Sequence, residues 1–243
     1  MHFKFREFFI YYDAQAQEWF KTREMPDVCH AQENGLLAFG GAYTPECFLR
    51  AYRRGIFPWP SGEPGEYIPW FCPAKRFVLE PENVHLSHSL KKTLKKCHFS
   101  VYADRQFEQV IRNCAQMPRH DAGTWITEGM IRTFCKLHEM GYAHSVECYE
   151  EDVLVGGFYG MCLGQIFGGE SMFTHVSDAS KVAFAVFAKR AAANGIRLID
   201  CQCYTDNLAR YGAHEISRDD FLYKLAFCRN LELPADFWQG QWL

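Results

Sequence analysis

Apolar residues recur at helical spacing in several stretches of the chain, and most of these stretches carry their own start and stop signals. Thr44 reads as an N-cap with Pro45 at the first helical position and Glu46 in the first turn; Phe48, Leu49 and Tyr52 follow, and Gly55 closes the helix after Arg53 and Arg54. Phe107, Val110, Ile111 and Cys114 share one face of a second helix, with Asp104 as its expected cap. Thr127 caps a third, bearing Met130, Ile131, Phe134 and Leu137 and closed by Gly141. Residues 143–149 and 153–159, joined by Glu150-Glu151-Asp152, read as an antiparallel hairpin, with 161–168 as a third strand. Asp178 is the expected cap of a long Ala-rich helix reaching Asn194-Gly195, 197–203 follows as a strand, and Thr205 caps a short helix ending at Gly212.

Between Pro58 and Pro73 five prolines and two glycines break the pattern, while Trp59, Tyr67, Trp70 and Phe71 keep it aromatic. This predicts a loop that packs, and a domain boundary near residue 75, with a small domain over 1–75 and a larger one over 76–243. Strands in a meander, then a helix, then another strand predict an α/β (α+β) protein, and the layout from Ala143 to Cys203 is compatible with an N-acyltransferase.

With 48% apolar residues in 243, the chain has material for a real core. The opening stretch to Tyr12 is aromatic but interrupted by Lys4, Arg6 and Glu7, unlike a signal peptide, and no later segment has the length of a membrane span. A soluble, cytoplasmic protein is expected. Eleven cysteines at irregular spacing, the closest pair being Cys201-x-Cys203, point to reduced and mostly buried thiols. His85-x-x-His88 is the one tight histidine pair and lacks further ligands at metal spacing, so no metal is expected. A net charge of −3 excludes a globally basic nucleic-acid binder, and any cationic surface must be local. Lys91, Lys92, Lys95 and Lys96 fall within about two helical turns, a spacing that suits either a phosphate backbone or a solvated face.

Alternation along the strand 197–203 puts Leu198, Asp200 and Gln202 on one side, so a carboxylate and a carboxamide project together from a buried-looking strand. They serve either local backbone groups or a site. Glu170 follows two glycines among large apolar groups, where a ligand can approach the backbone closely; its alternative is a turn glutamate facing solvent. Trp59 and Trp125 offer stacking surfaces for a base, or core packing. No phosphate-cradling glycine motif and no Gly-x-Ser-x-Gly or Cys/His signature occurs, which argues against an ATP- or NAD-using enzyme and against a covalent nucleophile. No cofactor is expected.

Read in order, Gly35-Leu-Leu-Ala-Phe-Gly-Gly41, Ala51-Tyr-Arg-Arg-Gly-Ile-Phe-Pro-Trp59, Thr124-Trp-Ile-Thr127, Leu137-His-Glu-Met-Gly-Tyr-Ala-His-Ser-Val-Glu147, Val155-Gly-Gly157, Gly169-Glu-Ser-Met-Phe173, Asp178-Ala-Ser-Lys181 and Leu198-Ile-Asp-Cys-Gln202 resemble the leucyl/phenylalanyl-tRNA–protein transferases. The resemblance covers nearly everything from residue 35 onward. It implies a C-terminal domain similar to the GCN5-related N-acetyltransferases and transfer of Leu or Phe, with Met a further donor residue, from aminoacyl-tRNA to a protein beginning with Arg or Lys, marking it for N-degron degradation. It also implies Asp200 and Gln202 as a catalytic pair and Glu170 as an active-site acid. Trp59 and Trp125 would meet the aminoacyl-adenosine end, Phe158, Phe173 and Phe187 would line the side-chain pocket, and Ser171 is a further substrate-binding candidate; with tRNA as substrate, Lys91, Lys92, Lys95 and Lys96 are expected to form a local cationic face for its acceptor stem. Ala42, Cys72 and the run Tyr204-Thr205-Asp206-Asn207 depart from the family pattern. The rival readings are an acetyl-CoA-dependent N-acetyltransferase, whose pyrophosphate loop Gln165–Glu170 matches poorly because it ends in a carboxylate, and a non-catalytic RNA- or degron-binding module.

Overall fold

Two sheets divide the chain between them in a computed structural model that describes residues 8–60, 67–96, 98–118 and 124–243. The first begins with a hairpin, β1 (Phe9–Asp13) and β2 (Glu18–Thr22), followed by β3 (Leu36–Gly40), helix α1 (Pro45–Tyr52), β4 (Phe57–Pro58) and β5 (Pro69–Phe71). Its strand order is β2-β1-β3-β5-β4, antiparallel throughout. Trp70 is fully buried at its centre and donates its indole N–H to Gly40 O at 2.9 Å, so its one polar atom is satisfied. Helix α1 starts as its sequence predicts, with the Thr44 hydroxyl accepting from Cys47 N and Pro45 in the first turn.

The second sheet takes β6 (Lys75–Leu79), β7 (Phe99–Ala103), β8 (Ala143–Glu150), β9 (Val153–Leu163), β10 (Ile166–Thr174), β11 (Leu198–Asp200) and β12 (His214–Ser217), in the order β12-β6-β11-β10-β9-β8-β7. Only β10 and β11 run parallel. Helix α2 (His88–Lys95) precedes β7, α3 (Phe107–Gln116) and α4 (Glu128–Glu139) precede β8, α5 (Ala179–Asn194) connects β10 to β11, and α6 (Asp206–Ala209) and α7 (Arg218–Cys228) flank β12. Strand alternation splits the buried side chains between two faces. Tyr159, Met161 and Leu198 join the cluster of α1, α3, α4 and α7, which is continuous with the first sheet, whereas Phe158, Cys162 and Ile199 join the cluster under α5. The C-terminal segment covers the β7 edge, Trp242 N donating to Val101 O and Val101 N to Leu243 O, which removes an open strand edge.

Several expected boundaries move. The third strand, 161–168, instead straddles the β9–β10 turn at Gly164, whose φ is +59. Asp104 does not cap α3: it sits at φ +54 and accepts from Ser145 N and His144, so its carboxylate serves β8. Asp178 precedes α5 in a left-handed conformation without a capping hydrogen bond, its carboxylate taken by Lys181 at 2.7 Å. The Pro-rich loop holds a strand pair, β4 with β5, while its residues 61–66, like the opening residues 1–7, lie outside the described residues. No described helix is long and apolar enough to cross a membrane, and the described cysteines are free.

Glycine allows the closest approach in the second sheet. A Cβ on Gly160 in β9 would stand 2.2 Å from Gly168 O of β10 and 2.5 Å from the Phe167 ring. Gly160→Ala is therefore expected to lower stability by about 1–3 kcal/mol through overpacking, read as an earlier midpoint in equilibrium urea unfolding at unchanged slope.

Candidate active site

The site forms where the parallel pair parts. Strands β10 and β11 are paired from Ile166↔Leu198 to Gly168↔Asp200, after which β11 ends and β10 runs on to Thr174. Open α/β sheets place ligands at such strand ends. Two backbone irregularities then aim polar side chains into the gap. On β10 the register with β9 passes from Gly169↔Gly160 to Ser171↔Tyr159, so Glu170 is the extra residue of a β-bulge and is swung out of the alternation. Beyond β11 the chain turns at Gln202, a non-glycine residue at φ +62, whose N–H donates to Asp200 Oδ1 at 2.9 Å. Gln202 is thus not the next residue on the Asp200 face of a long strand; the strand stops and a turn presents it.

The two irregularities meet. Gln202 Nε2 donates to Glu170 Oε1 at 2.9 Å, and Tyr52 Oη, from α1, donates to the same oxygen at 2.8 Å. Glu170 Oε2 is buried and has no hydrogen-bond partner among the described residues. Burial pushes the Glu170 carboxyl up to about 8, although the bonds from Tyr52 and Gln202 favour its ionised form. Burial also raises the Tyr52 hydroxyl, which therefore stays a donor.

Asp200 is engaged on its other side by a residue the sequence pattern did not single out. Arg76 of β6 reaches it with Nε to Oδ1 at 2.7 Å and Nη2 to Oδ2 at 2.6 Å, a two-pronged buried pair. The guanidinium lies between the Phe57 and Phe221 rings, 4.6 and 4.4 Å from their centroids, and donates from Nη1 to Gly55 O at 3.1 Å. Burial disfavours its charge, but the Asp200 carboxylate outweighs this and the Arg76 pKa is raised.

A cavity of about 330 Å³ opens onto this group, lined by Glu170, Asp200 and Gln202 together with Trp59, Trp125, Phe158 and Ser171, all expected from sequence. Phe167, Phe184, Ile199 and Leu208 complete its apolar wall, and Thr205 and Asn207 of the divergent run join it. Phe173 and Phe187 do not line it. Phe173 is buried in the cluster of α3 and α4, and Phe187 stands one layer back, 5.4 Å from Phe158 and 4.8 Å from Phe167. Lys91, Lys92, Lys95 and Lys96 are exposed on and just after α2, whose Leu90 and Leu94 pack with the cluster under α5, and none of the four lines the cavity. Cys201 and Cys203 line the cavity, but burial raises both thiols, which disfavours thiolates.

Away from the cavity, Asp104, His138 and His144 bring possible ligand atoms within 4.8 Å of one another. His144 Nδ1 meets Asp104 Oδ2 at 2.7 Å, His144 Nε2 meets Gly141 O at 3.2 Å and His138 Nδ1 meets Ala143 O at 2.9 Å. Each of these nitrogens already faces a protein oxygen, so the group is best described as a hydrogen-bond network tying the end of α4 to β8. His85 and His88 are both exposed.

The raised Glu170 carboxyl has a consequence for stability. Between about 4.3, the ordinary glutamate value, and about 8, the folded chain holds a proton that the unfolded chain has lost. The contribution of this group is therefore fully present below the lower value and is lost as pH rises through the upper one. Urea unfolding of the wild-type chain across that window should show a steeper decline with pH than Glu170→Gln, in which the buried, likewise raised Glu147 still contributes; parallel curves would mean that Glu170 titrates normally.

Comparison with known proteins places the chain in a family. A family model described as leucyl/phenylalanyl-tRNA protein transferase matches residues 78–226, and one described as the N-terminal domain of that transferase matches residues 41–74. The leucyl/phenylalanyl-tRNA–protein transferase of Dechloromonas aromatica (strain RCB) is 49% identical over 216 residues, covering 88% of this chain and 92% of the relative. That of Cellvibrio japonicus (strain Ueda107) is 50% identical, with 88% and 90% covered, and that of Escherichia coli (strain K12 / DH10B) is 46% identical, with 88% and 89% covered. Matched along nearly its whole length at this identity, the chain belongs to the leucyl/phenylalanyl-tRNA–protein transferase family.

Proposed function

We propose that this chain is an aminoacyltransferase that moves Leu or Phe, with Met a further candidate donor residue, from aminoacyl-tRNA to the α-amino group of an N-terminal Arg or Lys on an acceptor protein. One observation carries the reading: Tyr52 and Gln202 hold one oxygen of Glu170, while the other is buried without a partner among the described residues, beside a largely apolar cavity. Family membership supports it independently. On this reading the protein works in the cytoplasm and its product is marked for N-degron degradation.

An aminoacyl ester is already activated, so attack by an amine needs neither ATP nor a covalent enzyme intermediate. The protein has to align the reactants and manage the protons that leave the amine. An α-amine has an ordinary pKa near 8, and Glu170 is pushed up to about 8. With one proton shared between them, ammonium with carboxylate and amine with carboxylic acid lie close in free energy. The neutral amine then attacks the ester carbonyl and the C–N bond forms; the C–O bond breaks as the proton held by Glu170 passes to the departing ribose oxygen, and the carboxylate so formed takes the remaining excess proton from the new amide nitrogen and releases it to solvent. Because a carboxylate only accepts, Gln202 turns Nε2 toward Glu170 and leaves its carbonyl oxygen for an amine N–H. Glu170 also supplies the acid that suits a basic acceptor residue.

For the donor, Phe158, Phe167, Phe184, Ile199 and Leu208 offer an apolar wall for the Leu or Phe side chain, with Phe173 and Phe187 packed outside it. Such a wall separates apolar from polar side chains well but apolar ones less sharply, since a methylene is worth only about 1–3 kcal/mol. Trp59 and Trp125 provide stacking for the terminal adenosine, and Ser171 a polar contact. We also read the second sheet as similar to the GCN5-related N-acetyltransferase frame, supported by its antiparallel run β7-β8-β9-β10 passing through α5 into the parallel β10–β11 pair. A small domain over 1–75 and a larger one over 76–243 is supported by the first sheet drawing only on residues up to Phe71 and the second beginning at Lys75.

Incubating the protein with labelled phenylalanyl-tRNA and a peptide beginning with Arg should transfer label to the peptide, and a peptide beginning with Glu should remain unlabelled. Labelling from acetyl-CoA instead, or tRNA binding with no transfer, would replace this reading. The exposed lysines Lys91, Lys92, Lys95 and Lys96 give a second expectation. Neutralising all four should weaken tRNA binding and flatten its salt dependence, because fewer counterions are released, while use of an aminoacyl-adenosine fragment should hardly change. Equal salt slopes for wild type and the quadruple variant would leave the lysines as a solvated face.

A further inference from the structure

Both oxygens of Asp200 are engaged. Its Oδ1 accepts from Arg76 Nε at 2.7 Å and from Gln202 N at 2.9 Å, and its Oδ2 accepts from Arg76 Nη2 at 2.6 Å, with 8% of the side chain exposed. Arg76 is equally fixed, 2% exposed, held between two phenyl rings and bonded to Gly55 O. What this carboxylate secures is the turn at Gln202, a residue at φ +62, where non-glycine residues are found mainly when their surroundings hold them. The side chain that leaves this turn is the one that holds Glu170.

We propose that Arg76 is a positioning residue of the transfer reaction: by clamping the Asp200 carboxylate it fixes the left-handed turn at Gln202, and through it the orientation of Gln202 and Glu170 toward the substrate amine. The proposal rests on the transferase reading above. It divides the acids of the site by task. Asp200, although it lines the cavity, gives both oxygens to Arg76 and holds the frame, and Glu170, one of whose oxygens has no hydrogen-bond partner among the described residues, faces the reactants. Arg76 also offsets part of the repulsion that the Asp200 carboxylate exerts on Glu170.

Arg76→Lys keeps the positive charge and removes the two-pronged geometry. Measured with an aminoacyl-adenosine donor and an Arg-peptide, in protein verified as folded by circular dichroism at the assay temperature, kcat should fall about 10- to 100-fold, as expected for a misplaced catalytic group, while KM for both substrates stays within about twofold. Asp200→Asn retains an oxygen that accepts from Gln202 N–H but turns an N–H toward Arg76 and leaves its charge unpaired, so in folded protein it should lower kcat at least as far as Arg76→Lys, while leaving the acidic limb of the kcat–pH profile at its wild-type position. Wild-type kcat in Arg76→Lys, or loss of that acidic limb in Asp200→Asn, overturns the proposal, the second by making Asp200 the titrating base. Should Arg76→Lys fail to fold, the uncharged pair Arg76→Gln with Asp200→Asn replaces it, with kcat expected at least about tenfold down at retained KM. Wild-type kcat in that pair, or its failure to fold as well, reduces Arg76 to a stability role. An inactive wild-type chain removes the transferase reading itself, whereas an active wild type with unaffected variants removes the clamp alone.

Discussion

Two opposite charges lie out of water between the sheets, and each is tolerable there because of the other. Desolvating an ion costs several kcal/mol in a protein interior, which only close, well-directed bonding offsets. Arg76 and Asp200 meet that condition with two short, parallel hydrogen bonds, and the remaining contacts of the guanidinium go to Gly55 O and to the Phe57 and Phe221 rings. The ion pair thus joins β6 and β11 of one sheet to the segment that follows α1 and to α7. Tyr52 comes from the same α1, so the hydroxyl that holds Glu170 is positioned through the junction that buries the ion pair. The site is a property of the junction and not of either sheet alone.

Around that junction the sheet breaks its own rules in two places. A regular β10 would alternate its side chains between two apolar faces, and a regular β11 would carry Gln202 along a strand. The bulge at Glu170 and the left-handed turn at Gln202 release these two side chains into the gap between the diverging strands. Their mutual hydrogen bond leaves a single carboxylate oxygen unsatisfied in buried surroundings, and an unsatisfied buried acceptor is costly unless something binds it. The raised Glu170 carboxyl is the electrostatic form of the same fact: its neutral state relieves the cost in the free protein, and a cationic amine relieves it in a complex.

Local features were legible in the sequence and relational ones were not. Thr44 and Thr127 cap their helices because an N-cap needs only a hydroxyl and the next turn of backbone. Asp104 and Asp178 have the same sequence signature, yet both sit at positive φ and give their carboxylates to other partners. Asp200, Gln202, Glu170, Trp59, Trp125, Phe158 and Ser171 all line one cavity, and the ordered motifs of the family made them visible. Arg76 was missed because its partner lies 124 positions away and nothing local marks a buried arginine in a strand. The bulge was missed because it exists only relative to β9. Phe173 and Phe187 are aromatic and near the right elements, but strand parity and one layer of packing take them off the cavity wall.

The thiols beside the site sharpen what kind of chemistry this frame suits. Cys201 and Cys203 both line the cavity, and a covalent mechanism would need one of them as a thiolate. Burial raises both, and among the groups near Cys201 the negative Asp200 works in the same direction. The same low-polarity surroundings that suppress a thiolate favour a proton shared between a carboxyl and an amine, because that pair carries the same net charge before and after the transfer. A reaction whose electrophile arrives activated and whose only ionic event is the loss of an amine proton therefore fits this cavity better than one that must create a buried anion first.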